Sequence, residues 1–185
     1  DASECSTCGG TGRQPLKAGL RPWVSIGEAI GDLPELGDTG GLDTSVPYTA
    51  AACTDYQRLM RAGSTGFDLH RAKPVSRFAY SIIRHVREGE GIRSIPAEYL
   101  PERFQKMRTV SNGSLRRDCT TLYHRLSRNL PSYTITCHFS NVSSGAFVHP
   151  TANRAITARE AARLQSFPDR FQFEHKEIRR QIGNA

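Results

Sequence analysis

The stretch "NRAITAREAARLQSFPDRF", Asn153 to Phe171, decides how the chain is read. Thr157 and Glu160 stand three apart, the spacing at which a threonine hydroxyl and a glutamate carboxylate cap a helix start reciprocally. Pro168 disfavours helical backbone at Phe167 and closes the element, so the spacing predicts a helix of about two turns over 158–166. Ala161 and Leu164 point inward in that helix. Arg159 and Arg163, four apart, share a face that is expected to point outward. A second short stretch, "RRQIGNA", Arg179 to Ala185, follows closely.

Working outward, 185 residues at 37% hydrophobic content suffice for one ordinary domain with a core. A net charge of +7 and a pI near 9.5 favour a polyanionic partner. Nucleic acid ranks ahead of an anionic membrane, because the sequence has no long apolar run and no basic amphipathic helix. The start, "DASECSTCGG", has neither the basic nor the apolar part of a signal peptide, so a cytoplasmic location, on DNA, is expected. The five cysteines are irregularly spaced and read as reduced thiols. "CSTCGGTG", Cys5 to Gly12, resembles half of the zinc-binding repeat of DnaJ-type chaperones. A structural zinc site needs four ligands, and Cys53, Cys119 and Cys137 form no second knuckle; the alternative is a flexible Gly-rich leader.

"SIGEAIGDLPE" carries a Ser25/Glu28 capping box and predicts a short helix burying Ile26, Ile30 and Leu33. "LGDTGGLDTSVP" reads as loop, and a second helix is expected from Asp55 to Ala62, stopped by Gly63. "SRFAYSIIRHVREG" predicts the longest helix, capped by Ser76 and ended by Gly89, with Phe78, Ile82, Ile83 and Val86 on one face. "IPAEYLPERFQKM" holds one or two helical turns.

Cations gather between Pro101 and Leu130: Arg103, Lys106, Arg108, Arg116, Arg117, Arg125 and Arg128 face only Glu102 and Asp118. Interleaved neutral donors make this the composition of a surface that holds phosphates, against a plain solvated loop. In "SYTITCHFS", Tyr133, Ile135, Cys137 and Phe139 alternate with Thr134, Thr136 and His138, which predicts a strand with one buried and one polar face. His138 reads as a strand-surface residue.

Taken together, "HPTANRAITAREAARLQSFPDRFQF" and "QIGNA" resemble the C-terminal blocks of DNA (cytosine-5) methyltransferases. There an Arg-x-Leu/Ile-Thr-x-Arg-Glu-x-x-Arg-Leu-Gln-x-Phe-Pro block follows the target-recognition region, and a Gly-Asn-Ala/Ser-Val block closes the fold. Here these are Arg154, Ile156, Thr157, Arg159, Glu160, Arg163, Leu164, Gln165, Phe167 and Pro168, then Gly183, Asn184 and Ala185. "YHRLSRNLPSYTITCHF" and "SIGEAIGDLPE" resemble further family segments, so the likeness runs from about Trp23 onward and is weak over 37–98.

The resemblance implies that a Rossmann-like domain binds S-adenosylmethionine and performs the chemistry, while a smaller domain reads double-stranded DNA and holds a flipped cytosine. A thiolate attacks C6, a glutamate assists at N3, and the methyl group goes to C5. This sequence matches the second part only. No cysteine follows a proline, no Glu-Asn pair occurs, and no strand leads into Gly9, Gly10 and Gly12. The chain stops inside the closing block, so the expectation is a fragment or one subunit of a split enzyme, inactive without a catalytic half. S-Adenosylmethionine would be bound mainly by that missing half.

Carried over residue by residue, Thr134 and Ile135 match the recognition-region pair, with Thr136 beside them. Arg154, Arg159, Glu160 and Arg163 match the block that braces that region. Asn184 matches the asparagine beside the cofactor, and charge alone marks Arg125 and Arg128 for phosphates. The resemblance predicts no catalytic and no metal-binding residue here. The fold class is α/β, a mixed fragment: a leader over 1–22, a lead-in helix segment over 23–36, a recognition domain of short strands and loops over 37–153, and closing helices over 154–185 that return to a Rossmann-like partner. The competing reading is a non-enzymatic DNA-binding module, or a decayed methyltransferase relic, using the basic segment from Arg103 to Arg128.

Overall fold

A computed structural model describes residues 22–109, 113 and 121–185. Cys5 and Cys8, the two residues of the zinc reading, and Arg116 and Arg117 of the basic segment lie outside these residues.

Helices begin where a side-chain oxygen can satisfy the free amides of a first turn. Ser25 with Glu28 starts α1 (Ile26–Ile30), Thr54 with Gln57 starts α2 (Asp55–Arg61), and Thr157 with Glu160 starts α5 (Ala158–Leu164), each as a complete capping box. Ser76 accepts from the Ala79 amide at the start of α3 (Arg77–Ile83). A 3₁₀ turn (Ala97–Tyr99), α4 (Glu102–Arg108) and α6 (Ile178–Gly183) complete the helical elements among the described residues. None exceeds seven residues, too short to persist alone, so packing holds them.

The expected long helix to Gly89 is corrected: α3 stops at Ile83. The Arg125 guanidinium donates to the carbonyls of Ile83 at 2.9 Å and Val86 at 2.8 Å. These carbonyls therefore have a partner from outside the helix, and the chain turns away. Gly63, with φ of +74°, stands just past α2 as its stop signal requires.

The predicted loop after α1 in fact contributes two strands, β1 (Gly40–Leu42) and β2 (Val46–Pro47). They pair antiparallel with β4 (His70–Ala72) and β3 (Gly66–Phe67), in the registers Leu42 with His70 and Val46 with Phe67. The result is a nested two-stranded ribbon whose far end is closed by α2. Between its ladders Leu69 adopts a left-handed φ of 56°, and its amide donates to the Asp43 carbonyl at 3.1 Å.

A second correction concerns 133–139. No strand forms there. Ile135 and Phe139 are buried, four residues apart, while Tyr133 is 46% exposed and the Phe139 amide turns back to the Thr136 carbonyl at 3.0 Å. The alternation in sequence is met by two anchors and a turn rather than by a ladder.

Two apolar clusters form the core. In the first, Ile26, Ala29 and Ile30 of α1 meet Phe67, Ile135, Phe139, Ile156, Ala161 and Ala162 of α5, and Ile182 of α6. In the second, Ile82 and Ile83 of α3 meet Ile92, Ile95, Tyr123 and Val148. The Leu126 amide of the first donates to the Val148 carbonyl of the second at 2.9 Å, which joins them. Lead-in and closing segments thus share one core, and α5 packs on α1 of the same chain. The architecture is a mixed arrangement of short helices and strands. Among the described residues no helix is long and apolar enough to cross a membrane.

Candidate nucleic-acid interface

The outward face expected for Arg159 and Arg163 does not exist: both are 0% exposed. Burying a guanidinium is costly unless its charge and donors are met, and here acids from distant parts of the chain meet them. Arg163 holds Asp169 bidentately, both oxygens at 2.7 Å, and reaches Asp32 Oδ1 at 3.0 Å and the Ala29 carbonyl at 3.1 Å. Asp32 also accepts from Arg61 Nε at 2.6 Å, and Asp169 accepts from the Tyr48 hydroxyl at 2.6 Å. Arg159 pairs with Asp68 and lies 3.6 Å from Asp169. Burial opposes the Arg163 charge, but Asp169 and Asp32 outweigh it and its pKa rises. Burial, then the bond to Asp169, raises the Tyr48 pKa as well.

Arg154 and Glu160 make the other buried pair, two parallel bonds of 2.8 Å. The same carboxylate takes the Thr157 amide at 2.7 Å, so the cap and the ion pair are one device. His149 Nε2 stands 3.6 Å and His70 Nδ1 4.0 Å from Glu160 Oε1. Burial works against the Glu160 charge, yet Arg154 and the two histidines hold its pKa down at about 2. Burial, opposed by Glu160, pushes His149 down to about 4. The Thr151 and Ala152 amides, 3.3 and 3.2 Å away, point at His149 Nδ1, which keeps that nitrogen an acceptor.

Thr134 and Thr136 are exposed on either side of the buried Ile135. Gln165, at the end of α5, ties their segment to the closing block: its Nε2 donates to the Ile182 carbonyl at 3.0 Å and the Ile135 carbonyl at 3.4 Å. Gly183 lies against the same strip, where a Cβ would come within 2.5 Å of Cys137 Cα. Residues 136–137 and Gly183 therefore meet at backbone contact. Asn184 follows at the surface, and its carboxamide has no hydrogen-bond partner among the described residues. That carboxamide is a donor and an acceptor open to a ligand.

The phosphate assignments divide. Arg125 is corrected: it is 5% exposed, and its guanidinium is spent on the carbonyls of Ile83, Val86, His149 and Ala152 and on Asn153 Oδ1 at 2.7 Å. Burial lowers its pKa, with Asp38 and Glu88 opposing. Arg128 is exposed and paired with Glu88 at 3.2 Å. The other described cations of the basic segment are also engaged within the chain. Arg108 is buried on the carbonyls of Ile92 and Arg93 at 3.2 and 3.3 Å, Lys106 pairs with Glu102 at 2.7 Å, and Arg103 lies over the rings of Phe78 and Phe104. Charge clustered in sequence is here largely consumed within the fold.

The acids Asp32, Asp68 and Asp169, the buried His70 and the partly buried His149 are missed by sequence reasoning. Asp169 carried the one available signal, since it directly follows the helix-ending Pro168.

A sequence profile of the family described as C-5 cytosine-specific DNA methylase matches residues 43–185. Type II methyltransferase M.AgeI of Thalassovita gelatinovora is 30% identical over 90% of this chain and 48% of its own length. Type II methyltransferase M.DdeI of Desulfomicrobium norvegicum is 29% identical over 92% of this chain and 41% of its own. A solved structure of a candidate DNA modification methyltransferase from an Escherichia coli prophage shares the fold, with a TM-score of 0.56 at 19% identity over 93% of this chain and 44% of that one. The chain spans about half the length, or less, of these relatives. With so much of its own length matched by the profile, the chain belongs to the C-5 cytosine-specific DNA methylase family.

Proposed function

We propose that this chain is the target-recognition and closing portion of a DNA (cytosine-5) methyltransferase, working with a catalytic half that is fused to it or is a separate subunit. One observation carries the reading: the exposed Thr134 and Thr136 and the exposed Asn184 are held at one corner by Gln165 and by the contact of Gly183 with Cys137. In this reading Thr134 contacts DNA beside the target cytosine, and Ile135 anchors it. Thr136 and the exposed Arg128 add contacts. Arg154, Arg159, Glu160 and Arg163 hold the platform by buried ion pairs and touch no substrate. Asn184 donates one amide to the cofactor site, where S-adenosylmethionine supplies the methyl group for cytosine C5. The nucleophilic thiolate and the acid at N3 come from the catalytic half, so the chain alone binds DNA and transfers no methyl group.

The test compares two quantities in the assembled enzyme. Thr134→Ala lowers methyl transfer more than duplex binding. Equal losses in both would contradict a position beside the target base.

A further inference from the structure

A cleft of about 320 Å³ opens between β4, the turn at Phe139–Ser140, the start of α5 and the segment leading into α6. Its floor is apolar, formed by Phe139, Ile156 and Ile178, and its rim is basic: Arg71 and Lys73 on one side, Lys176 and Arg179 on the other, with Asp43 the sole acid. Asp43 and Arg71 are paired at 3.5 Å. Lys73, Lys176 and Arg179 are exposed and have no ion pair or hydrogen bond among the described residues. That sets them apart from Arg58, Arg61, Lys106, Arg128 and Arg180, each of which faces a carboxylate.

We propose that this cleft docks the phosphodiester backbone of duplex DNA, through Lys73, Lys176 and Arg179. The inference rests on reading the chain as a DNA-recognising part, and it places the main phosphate contacts outside the basic run at 103–128, with Arg128 as an added one. Cations left unpaired around a concave surface raise the local potential and repel one another, a cost that a polyanion relieves. They stand on separate walls instead of converging on one buried donor set, which suits spaced phosphates better than a single small anion. The cleft also adjoins the recognition segment, because Phe139 of its floor turns back on Thr136 at 3.0 Å. Phosphate contacts fix register and base contacts read sequence, so the two belong side by side.

The rim is fixed in place. Leu69, left-handed at φ 56° without being glycine, gives its amide to the Asp43 carbonyl at 3.1 Å and takes the Arg159 amide on its own carbonyl at 3.0 Å. The buried Arg159 side chain grips Asp68 next to it. The strand that bears Arg71 and leads directly into Lys73 is thereby pinned to α5.

The experiment measures binding of the 185-residue chain to a short duplex oligonucleotide by fluorescence anisotropy across a salt series. Each phosphate contact contributes about 0.9 to the slope of log K against log salt concentration, so the Lys73→Ala, Lys176→Ala, Arg179→Ala triple variant is expected to flatten it by about 3, equally for unrelated duplex sequences. All three side chains are exposed, so the variant keeps its fold, which a thermal melt verifies. Arg58→Ala, on α2 and paired with Asp55, is expected to change nothing. Wild-type binding with an unchanged slope in the triple variant overturns the cleft and leaves the proposed function standing. No wild-type binding even at low salt overturns both.

Discussion

Gly183 of the closing block lies directly on the backbone of Cys137, close enough that a methyl group in place of its hydrogen would collide with the Cys137 amide. In an ordinary helix interior, Gly→Ala adds up to about 1 kcal/mol of stability. Here the sign reverses. Gly183→Ala is expected to lower the melting temperature and to weaken methylation in the assembled enzyme, because α6 must lift off the recognition segment. A melting temperature equal to or above wild type would show that the contact is not tight.

Asp169 serves three partners at once: Arg163, Arg159 and the Tyr48 hydroxyl. Removing one member of a buried ion pair strands the others, at about 3–5 kcal/mol. Asp169→Ala is expected to lower the unfolding free energy by that much, read as a lower urea midpoint with little change in the m-value. Arg163→Lys is expected to fail as a substitute, since an ammonium cannot serve two carboxylates with the guanidinium's planar fork. Retention of wild-type stability by either variant would remove the network from the account.

Acid sensitivity follows from two groups with depressed pKa values. His149 sits at about 4 in the fold against 6.5 unfolded, so the unfolded chain binds the extra proton between these values and stability falls as pH drops through that window. Glu160 sits at about 2 against 4.5, so its contribution is complete above pH 4.5 and drains away as pH falls toward 2. The Glu160 part amounts to roughly 3 kcal/mol at neutral pH. In chemical denaturation at a series of pH values, His149→Gln is expected to flatten stability between pH 6.5 and 4 and to move the lower limb to higher pH, because one of the charges that holds Glu160 down is gone. An unchanged upper limb would show that His149 is not buried as a neutral ring.

Two arginines three residues apart are expected to behave oppositely. Arg125→Gln strands several buried carbonyls and should unfold the chain or lower its stability by several kcal/mol, since each unsatisfied group costs about 1–3 kcal/mol. Arg128→Ala removes an exposed pair with Glu88, worth about 0–1 kcal/mol, and should leave the melt almost unchanged. Similar stabilities for the two variants would contradict the burial assigned to Arg125.

These contrasts show what the sequence could and could not convey. Helix starts were legible, because a cap is local: Ser25 with Glu28, Ser76, and Thr157 with Glu160 each act across three residues. The end of α3 was not, because it depends on Arg125, 42 positions from Ile83. β1 to β4 were hidden by being two or three residues long, and β1 to β3 also by containing Gly or Pro. The arginines of α5 looked outward because their partners, Asp32 and Asp68, are far away in the chain. For the candidate site, the motif identified Thr134, Gln165, Gly183 and Asn184, but only the fold brings Gly183 against Cys137. Clustered charge misled for a general reason: a run of arginines says nothing about how many are needed to close the fold itself.

The most direct test of the central claim is methyl transfer to duplex DNA, with isotopically labelled S-adenosylmethionine, by this chain alone and combined with a polypeptide that carries the nucleophilic cysteine and the glutamate that assists at N3. The account predicts no transfer by either part alone, transfer by the two together, and label at cytosine C5. Transfer by this chain alone, or none from the combined parts while both are folded, would contradict it.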